Sequence, residues 1–195
     1  GASNQDLESI GDLCAVYATA GVHCIDVAAD PSVVLKAREA IQWAKLNHDK
    51  QPWLMISLSD GEDDHFRKAW FDPERCPPDC DRPCENICPA KAIGTSGGVN
   101  TNKCYGCGRC ITSCPLGLID EKEHRLEIKN FSPLLNELRP DAIEIHTAPG
   151  RAKAFEKAIK EISASRINLE RLAVSCGLQG HGINAYQLAQ ELWLR

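Results

Sequence analysis

The chain contains no long run of apolar residues. Its longest strongly apolar stretch, WLMISL at residues 53–58, is followed by Ser59 and Asp60, whereas a membrane-spanning helix needs about 18 apolar residues in succession. A secretory signal peptide is not recognisable either, because no apolar segment follows a basic start. We therefore expect a chain that does not span a membrane.

Positive charge is also scarce. Lys and Arg number 22 against 27 Asp and Glu, which gives a formal net charge of -5, and the basic residues are scattered along the chain. Because duplex binding requires a cationic face, we expect no nucleic acid partner. The sequence has no Walker motif, no G-x-G-x-x-G after a strand and no nucleophile elbow, so flavin or nicotinamide binding is not indicated.

Cysteine, by contrast, is abundant. The chain has 11 cysteines, of which eight fall within residues 76–114. An odd number of cysteines without a signal peptide argues against the disulfide framework of a secreted protein. We therefore expect a reducing cytoplasmic location, in which thiols remain free to bind metal.

Both ends of the chain alternate short apolar runs with amphipathic segments. The runs have the length of buried strands, and the segments place apolar residues at helical spacing. This alternation predicts an α/β fold of parallel βα units joined by right-handed crossovers, as part of a barrel-like or open sheet. The predicted strands lie at residues 22–30, 53–60, 141–150 and 171–176, and the predicted helices at residues 4–20 and 31–47, from Ser132, around Phe155 to Ile162, and at about 185–194.

The middle of the chain has a different pattern. Residues 71–128 contain the eight clustered cysteines, are rich in proline and show little helical or strand periodicity. We therefore predict three parts: a first βα part at residues 1–70, a ferredoxin-like iron–sulfur insert at residues 71–128, and a second βα part at residues 129–195.

Residues 104–115, CYGCGRCITSCP, carry the most specific motif. Three cysteines are separated by two residues each, a fourth follows after three more, and a proline stands behind it. Bacterial ferredoxins have this spacing, and the fourth cysteine of each run ligates the other cluster. A partner run is present at residues 76–89, CPPDCDRPCENICP. Gly106 and Gly108 would let the backbone pass close to inorganic sulfur.

Two clusters with exchanged fourth ligands are therefore predicted, and we expect both to be 4Fe-4S. The gaps in the first run hold three residues rather than two, which leaves open a 3Fe-4S cluster or a ligand set without Cys76. Structural zinc is the alternative for a four-cysteine site, but two complete ferredoxin runs favour iron. The first predicted ligand set is Cys76, Cys80, Cys84 and Cys114, and the second is Cys104, Cys107, Cys110 and Cys88.

Other candidate residues lie outside the runs. We interpret Cys14, Cys24 and Cys176 as small core residues, with Cys176 the strongest exception because a glycine-rich loop follows it. Ligands of parallel α/β folds bind at the C-terminal ends of strands. Glu144 and His146 share one strand face, so they form either a satisfied buried pair or part of a ligand site. The polar residues predicted at strand ends are Asp26, Asp30, Ser59, Asp60, Glu144, His146, Cys176 and His181.

Four segments of the chain resemble the light-dependent period family of cyanobacteria. They are GASNQDL at residues 1–7, GVHCIDVAADP at 21–31, PWLMISLSDGEDDHFRKAWFD at 52–72 and CYGCGRC at 104–110. The resemblance implies a cytoplasmic iron–sulfur protein whose clusters respond to photosynthetic electron flow and feed redox information to the circadian clock. It also implies clock-input and oscillator proteins as partners.

Three functions are compatible with these features. The leading hypothesis is electron transfer or redox sensing, because one electron changes the charge of a cluster and can bias a neighbouring loop or interface. Two bound clusters would bring the net charge to about -9, which favours a basic redox partner protein. The second hypothesis is a cluster-fed reductase that binds a small molecule near Glu144, His146 and Cys176. In the third, the clusters only hold the insert together.

Overall fold

The first part of the chain folds into two helix–strand pairs. In the computed structural model, which describes residues 7–45, 51–62, 67–94, 98–124, 126–178 and 182–194, helix α1 (Leu7–Thr19) precedes strand β1 (Cys24–Ala28). Helix α2 (Pro31–Lys45) and strand β2 (Trp53–Ser59) follow. The Asp30 carboxylate accepts a hydrogen bond from the Ser32 amide at 3.0 Å, so Asp30 caps the start of α2.

The middle of the chain forms a small unit with its own strand pair. Its elements are strand β3 (Arg67–Trp70), helix α3 (Pro83–Ile87), helix α4 (Arg109–Ser113) and strand β4 (Asp120–Glu123). Strands β3 and β4 pair in antiparallel orientation, with Trp70 opposite Asp120. The chain therefore enters and leaves this unit on adjacent strands.

The last part of the chain returns to the alternation of helix and strand. It contains helix α5 (Phe131–Leu138), strand β5 (Ala142–Thr147), helix α6 (Ala152–Ala164), strand β6 (Arg171–Cys176) and helix α7 (Ala185–Trp193). The side-chain oxygen of Asn184 accepts a hydrogen bond from the backbone amide of Gln187, and the side-chain oxygen of Gln187 accepts one from the backbone amide of Asn184. This reciprocal capping box fixes the start of α7.

Four strands from both ends of the chain form one parallel sheet in the order β1-β2-β5-β6. Strands β2 and β5 are direct neighbours although the middle unit separates them in sequence, and Ser57 lies beside Glu144 in their register. The predicted α/β class with parallel strands is thus confirmed. No helix in the described segments has the length and hydropathy that crossing a membrane requires.

Alternate residues of the strands point into the main hydrophobic core. Full burial of one such aliphatic or aromatic side chain contributes about 2 kcal/mol, so this core determines the position of the strands. Because side chains alternate along a strand, the intervening residues face the opposite side, which carries Asp26, Ser57, Glu144 and His146 and is called the polar face below. The core joins strand residues Ile25, Val27, Ile56, Leu58, Ile143 and Ile145 to helix residues Ile10, Val33, Phe131, Leu135 and Phe155.

Strand β6 departs from the buried strands that the sequence predicts. Leu172 and Val174 of β6 are 42% and 45% exposed, whereas the matching residues of β5, Ile143 and Ile145, are completely buried. In the described part of the chain, β6 pairs with β5 alone. Its position at the edge of the sheet explains the difference.

Candidate metal centre

Six of the eight clustered cysteines share a small hydrophobic core of their own, which is called the cysteine core below. Cys84, Cys104 and Cys110 are buried in it, next to Phe71 and Ile119. Thiolates in apolar surroundings are unfavourable unless a positive charge or hydrogen bonds compensate them. This core is therefore suited to thiols that bind metal. Three further cysteines pack against it partly buried: Cys76, Cys88 and Cys114.

Helices α3 and α4 are two copies of one local structure. Each helix has five residues and carries a cysteine at its second position, Cys84 in α3 and Cys110 in α4. Each is followed at once by a cysteine in extended conformation, Cys88 after α3 and Cys114 after α4. The two cysteine runs therefore fold alike around their last two cysteines, which agrees with the echo seen in the sequence.

The same backbone turns flank both copies. The residue before each helix is left-handed, with φ 53° at Arg82 and φ 74° at Gly108. The third residue after each copy's last cysteine is also left-handed, with φ 48° at Lys91 and φ 60° at Gly117. A left-handed backbone suits glycine and costs other residues about 1–2 kcal/mol. The first run thus keeps the backbone of the second despite less suitable residues and longer gaps.

Backbone amides point at the last sulfur of each run. The Ala92 amide donates to Cys88 Sγ at 3.2 Å, and the Leu118 amide donates to Cys114 Sγ at 3.4 Å. In both cases the donor lies four residues after the cysteine. Hydrogen bonds to a sulfur favour its negative form, and such bonds are one of the factors that set the reduction potential of a bound cluster.

One group of thiols surrounds Cys110. Burial, followed by the negative charges of Cys104, Cys107 and Cys88, raises the pKa of the Cys110 thiol to about 12. The same four cysteines line one small cavity together with Tyr105. Three of them belong to the second run and one to the first, and they are the residues of the second predicted ligand set.

Another group of thiols lies around Cys84. Burial raises the pKa of Cys84, and the negative charges of Cys114 and Cys76 act in the same direction. Cys84 and Cys76 belong to the first run, whereas Cys114 belongs to the second. The negative charges that raise the pKa of Cys84 and the pKa of Cys110 therefore belong to different cysteines.

Backbone amides donate hydrogen bonds to the sulfurs of Cys114 and Cys80. Burial raises the pKa of Cys114, but hydrogen bonds from the amides of residues 116–119 outweigh burial, so its pKa lies below the ordinary value. Cys80 lies in the loop between Cys76 and Cys84, and its sulfur accepts a hydrogen bond from the Arg82 amide at 3.4 Å. These amides favour the thiolates that iron requires.

The donor set fits an iron–sulfur cluster. Each group offers cysteine thiols in an apolar core, and cysteine thiolates are the usual ligands of iron–sulfur clusters. The buried thiol of Cys110 also needs a positive centre to lose its proton, which iron ions supply. Within the described segments, no three His, Cys, Asp or Glu side chains converge closely enough to hold a single metal ion.

Tyr105 connects the cysteine core to the main core, and sequence reasoning missed it. The phenol is 6% exposed and packs with the main core. Its hydroxyl accepts a hydrogen bond from the Leu7 amide at 3.1 Å, and Leu7 is the first residue of α1. The only signal in the sequence is an aromatic residue directly after Cys104.

Lys68 of β3 connects the loop before the second cysteine run to the start of α2. Its ammonium lies 3.6 Å from Asp30 Oδ2 and donates to the Thr101 carbonyl at 2.7 Å. The side chains of Lys68 and Asp30 are 16% and 12% exposed, so solvent screens this pair less than an ordinary surface pair. Asp30, which the sequence analysis placed among possible ligand residues, therefore caps α2 and holds β3.

Four residues of the polar face form one continuous chain of contacts. The Ser57 hydroxyl donates to Asp26 Oδ1 at 2.7 Å and lies 3.3 Å from Glu144 Oε2. His146 Nε2 lies 3.3 Å from the same Glu144 oxygen. Burial raises the pKa of Asp26, and the Ser57 hydrogen bond opposes that effect. Sequence reasoning overlooked Ser57, although it interrupts the apolar run of β2.

Asp60 is a structural residue rather than an open ligand position. Its side chain is fully buried and accepts a hydrogen bond from the Thr147 hydroxyl. Arg151 lies 3.5 Å from the other carboxylate oxygen and donates to the Glu62 carbonyl at 3.0 Å. Asp60 therefore joins the ends of β2 and β5 to the start of α6.

The other strand-end candidates are dispersed. The Ser59 hydroxyl donates to the Gly61 carbonyl at 2.9 Å, and Cys176 is the last residue of β6, beside Thr147. Cys14 is buried as predicted, while Cys24 and Cys176 are only partly buried. His181 lies outside the described residues.

Comparison with known proteins bears on both parts of the chain. Light dependent period A of Synechococcus elongatus (strain ATCC 33912 / PCC 7942 / FACHB-805) is 46% identical over 193 residues, which are 98% of this chain and 54% of that relative. The chain thus spans about half the length of this relative. YsaA of Escherichia coli (strain K12), whose name refers to electron transport, is 35% identical over 55 residues, or 27% of this chain and 35% of that protein. No solved structure matches significantly.

Family comparison locates the metal centre within a known domain. The LdpA Fe-S cluster-binding domain matches residues 76–125, a range that contains all eight clustered cysteines. The Light dependent period A C-terminal domain matches residues 134–194, from α5 to α7. An iron–sulfur centre is therefore the role of the cysteine core. The chain belongs to the light dependent period A family.

Proposed function

We propose that the chain is a redox protein that carries two iron–sulfur clusters and acts in electron transfer or redox sensing. The observation that carries this proposal is that each group of thiols combines cysteines from both runs. The negative charge of Cys88, which belongs to the first run, acts on Cys110 of the second run. The negative charge of Cys114, which belongs to the second run, acts on Cys84 of the first run. Such an exchange is what two-cluster ferredoxins require.

The two ligand sets follow from this exchange. When bound, each cluster supplies a centre that can gain or lose one electron. We propose 4Fe-4S clusters at both positions, with 3Fe-4S as the alternative at the first set, because its run has longer gaps. The first set is Cys76, Cys80, Cys84 and Cys114, and the second set is Cys104, Cys107, Cys110 and Cys88.

The protein contributes burial and hydrogen bonds to this chemistry. Cys104 and Cys110 of the second set are 8% and 7% exposed and thus shielded from water, whereas Cys88 and Cys107 are partly buried. Amides that point at Cys88 and Cys114 stabilise negative sulfur, which favours the reduced state of a bound cluster. Different burial of the two sets would give the two clusters different potentials.

We further propose that residues 71–128 form a ferredoxin-like insert between βα parts at residues 1–70 and 129–195. The repeated turn and helix around α3 and α4, together with the separate hydrophobic core, support this division. The pairing of β3 with β4 adds residues 67–70 to the compact part of the insert.

The biological role that we propose is redox and light input to the circadian clock. The name of the Synechococcus relative refers to a light-dependent period, and the name of YsaA refers to electron transport. The corresponding partners would be a basic redox protein and clock-input or oscillator proteins, met in the cytoplasm. Nucleic acid remains an unexpected partner because the net charge is -5.

Anaerobic purification with iron, sulfide and zinc analysis, followed by a spectroscopic redox titration, tests this proposal. We expect about eight irons and eight sulfides per chain for two four-iron clusters, with reversible reduction. About seven irons would indicate a three-iron cluster at one site. Stoichiometric zinc, or clusters that stay in one oxidation state across the physiological range, would contradict a redox role.

Paired substitutions test the exchange of ligands. Cys88→Ser with Cys107→Ser removes two ligands of one proposed cluster, so the electron paramagnetic resonance signal of the other cluster should persist. Cys84→Ser with Cys107→Ser removes one ligand from each, and both signals should change. Cys14→Ser serves as the matched control, because Cys14 lies in the main core. If Cys88→Ser with Cys107→Ser abolished the signals of both clusters, the assignment would be refuted.

A cluster-fed reductase is the second candidate, and the contacts on the polar face favour it. Ser57, Asp26, Glu144 and His146 place two carboxylates, a hydroxyl and an imidazole in sequence, which could bind and protonate a small polar substrate. Glu144→Gln should then abolish substrate-dependent oxidation of the reduced clusters while iron content stays the same. Unchanged oxidation kinetics with a panel of small polar acceptors would remove this candidate.

A further inference from the structure

A long groove lies between α1 and α2 and has no role in the proposed redox chemistry. It has a volume of about 890 Å³ and extends along α1 from Glu8 to Thr19, a distance of about 17 Å at 1.5 Å per residue. Three helical turns of another chain would fit this length. The groove is therefore large enough for a macromolecular segment.

Part of the groove lining is apolar. Ala15 and Val16 of α1 and Ala40 and Trp43 of α2 line it. Val16 is 63% exposed and Trp43 is 59% exposed, so these large side chains meet water along the groove. Contiguous exposed apolar surface of this kind marks interaction sites, and tryptophan is among the residues that contribute most to binding.

The rim of the groove is acidic. Glu8, Asp12 and Glu39 line it with one basic residue, Lys36, so three negative charges and one positive charge leave a net charge of -2. Lys36 pairs with Glu8 at 2.8 Å and its charge also acts on Glu39 and Asp12, so one cation serves three carboxylates on the two helices and an incoming cation would still be attracted. A lining that combines apolar side chains with carboxylates from both helices is complementary to a helix with one apolar face and basic flanks.

We propose that the α1–α2 groove binds a basic amphipathic helix of a partner protein. The apolar face of that helix covers Val16 and Trp43, and its Lys or Arg side chains meet Asp12 and Glu39. Binding at this surface does not depend on the clusters. It would survive even if the redox proposal proved wrong, so the two proposals fail separately.

A designed peptide of about 14 residues, with Leu on one helical face and Lys on the other, is the probe. Its binding to the full chain, purified without oxygen, is measured by fluorescence anisotropy at low and moderate salt. We expect Trp43→Ala to weaken binding by about tenfold or more, as loss of a binding hot spot does. Asp12→Lys with Glu39→Lys should weaken it comparably, with the larger effect at low salt.

Matched variants separate specific docking from general attraction. Trp193→Ala removes another exposed tryptophan, which is 89% exposed on α7, and Glu137→Lys with Glu170→Lys reverses two exposed charges elsewhere. Both controls should change affinity by less than about twofold. Equal losses in groove and control variants would overturn the proposal. So would a chain dimer in sedimentation that Trp43→Ala dissociates, because the occupant would then be a second copy.

Discussion

At the scale of single residues, the polar side chains predicted at strand ends differ in burial and in what they contact. The buried Asp60 carboxylate lies between Thr147 and Arg151 and ties elements of the fold together. Glu144 and His146 contact each other on the polar face, where their side chains are only partly buried. Sequence alone placed Asp60, Glu144 and His146 at strand ends without distinguishing them.

Asp60→Ala should lower the free energy of unfolding by about 3 kcal/mol. The change removes the buried acceptor of the Thr147 hydroxyl and the anion beside the Arg151 guanidinium, and such losses cost about 2–4 kcal/mol. Urea denaturation followed by circular dichroism measures the effect. Glu156→Ala, which breaks an exposed ion pair with Lys160, is the control and should leave the urea midpoint nearly unchanged, because solvent screens such a pair. Equal effects of both changes would show that burial of Asp60 is unimportant.

The Asp26 carboxyl should make stability depend on pH in the mildly acidic range. Burial raises its pKa in the folded chain, so the folded state holds this proton more tightly than the unfolded state does. The resulting stabilisation is complete below the unfolded pKa of about 3.9 and is lost as pH rises through the folded pKa. In Asp26→Asn this loss should disappear. Urea unfolding of both chains from pH 4 to pH 7 tests it, and parallel curves would contradict the assignment.

At the scale of elements, the repeated structure around α3 and α4 shows what spacing can and cannot predict. Cys84 and Cys88 fold like Cys110 and Cys114, as the common distance between them suggests. The left-handed turns at Arg82 and Lys91 were not predictable, because glycine occupies the equivalent position only in the second run. Helix and strand positions outside the insert were predictable from apolar periodicity, since the main core selects the same faces.

Tyr105→Phe should loosen the start of α1 without removing a cluster ligand. The change deletes the acceptor for the Leu7 amide, and a part-buried hydrogen bond of this kind contributes about 1 kcal/mol. We expect hydrogen exchange at the first turn of α1 to become about fivefold faster, with iron content unchanged. Tyr186→Phe on exposed α7 is the control. Unchanged exchange at α1 would show that the Tyr105 hydroxyl does not hold the helix.

At the scale of the whole molecule, two hydrophobic cores meet at the cysteine loops. The main core and the cysteine core contain different buried residues, and Ala90 packs against both. Cys107 and Tyr105 reach the main core from the second cysteine run, and Lys68 adds a polar connection. The sequence predicted an insert because periodicity stopped where the cysteines began. It could not predict that α1 and β3 would be tied to the cysteine loops, since those contacts join residues far apart in the chain.

Removal of iron should therefore unfold one core and spare the other. After anaerobic chelation, we expect residues 71–124 to lose protection from hydrogen exchange because the buried thiols lose their metal. Strands β1, β2 and β5 should stay protected, and reconstitution with iron and sulfide should restore the insert. Simultaneous loss of protection in the sheet would show that the chain unfolds as one cooperative unit.

The direct pairing of β2 with β5 has a consequence for how the protein forms. These strands become neighbours only after the 82 residues from 60 to 141 have been looped out. Closing a longer loop is slower and costs more conformational entropy. An insert that has already taken up iron, with β3 beside β4, shortens the effective span of that loop. We expect iron supply during synthesis to set how quickly the newly made chain completes its sheet.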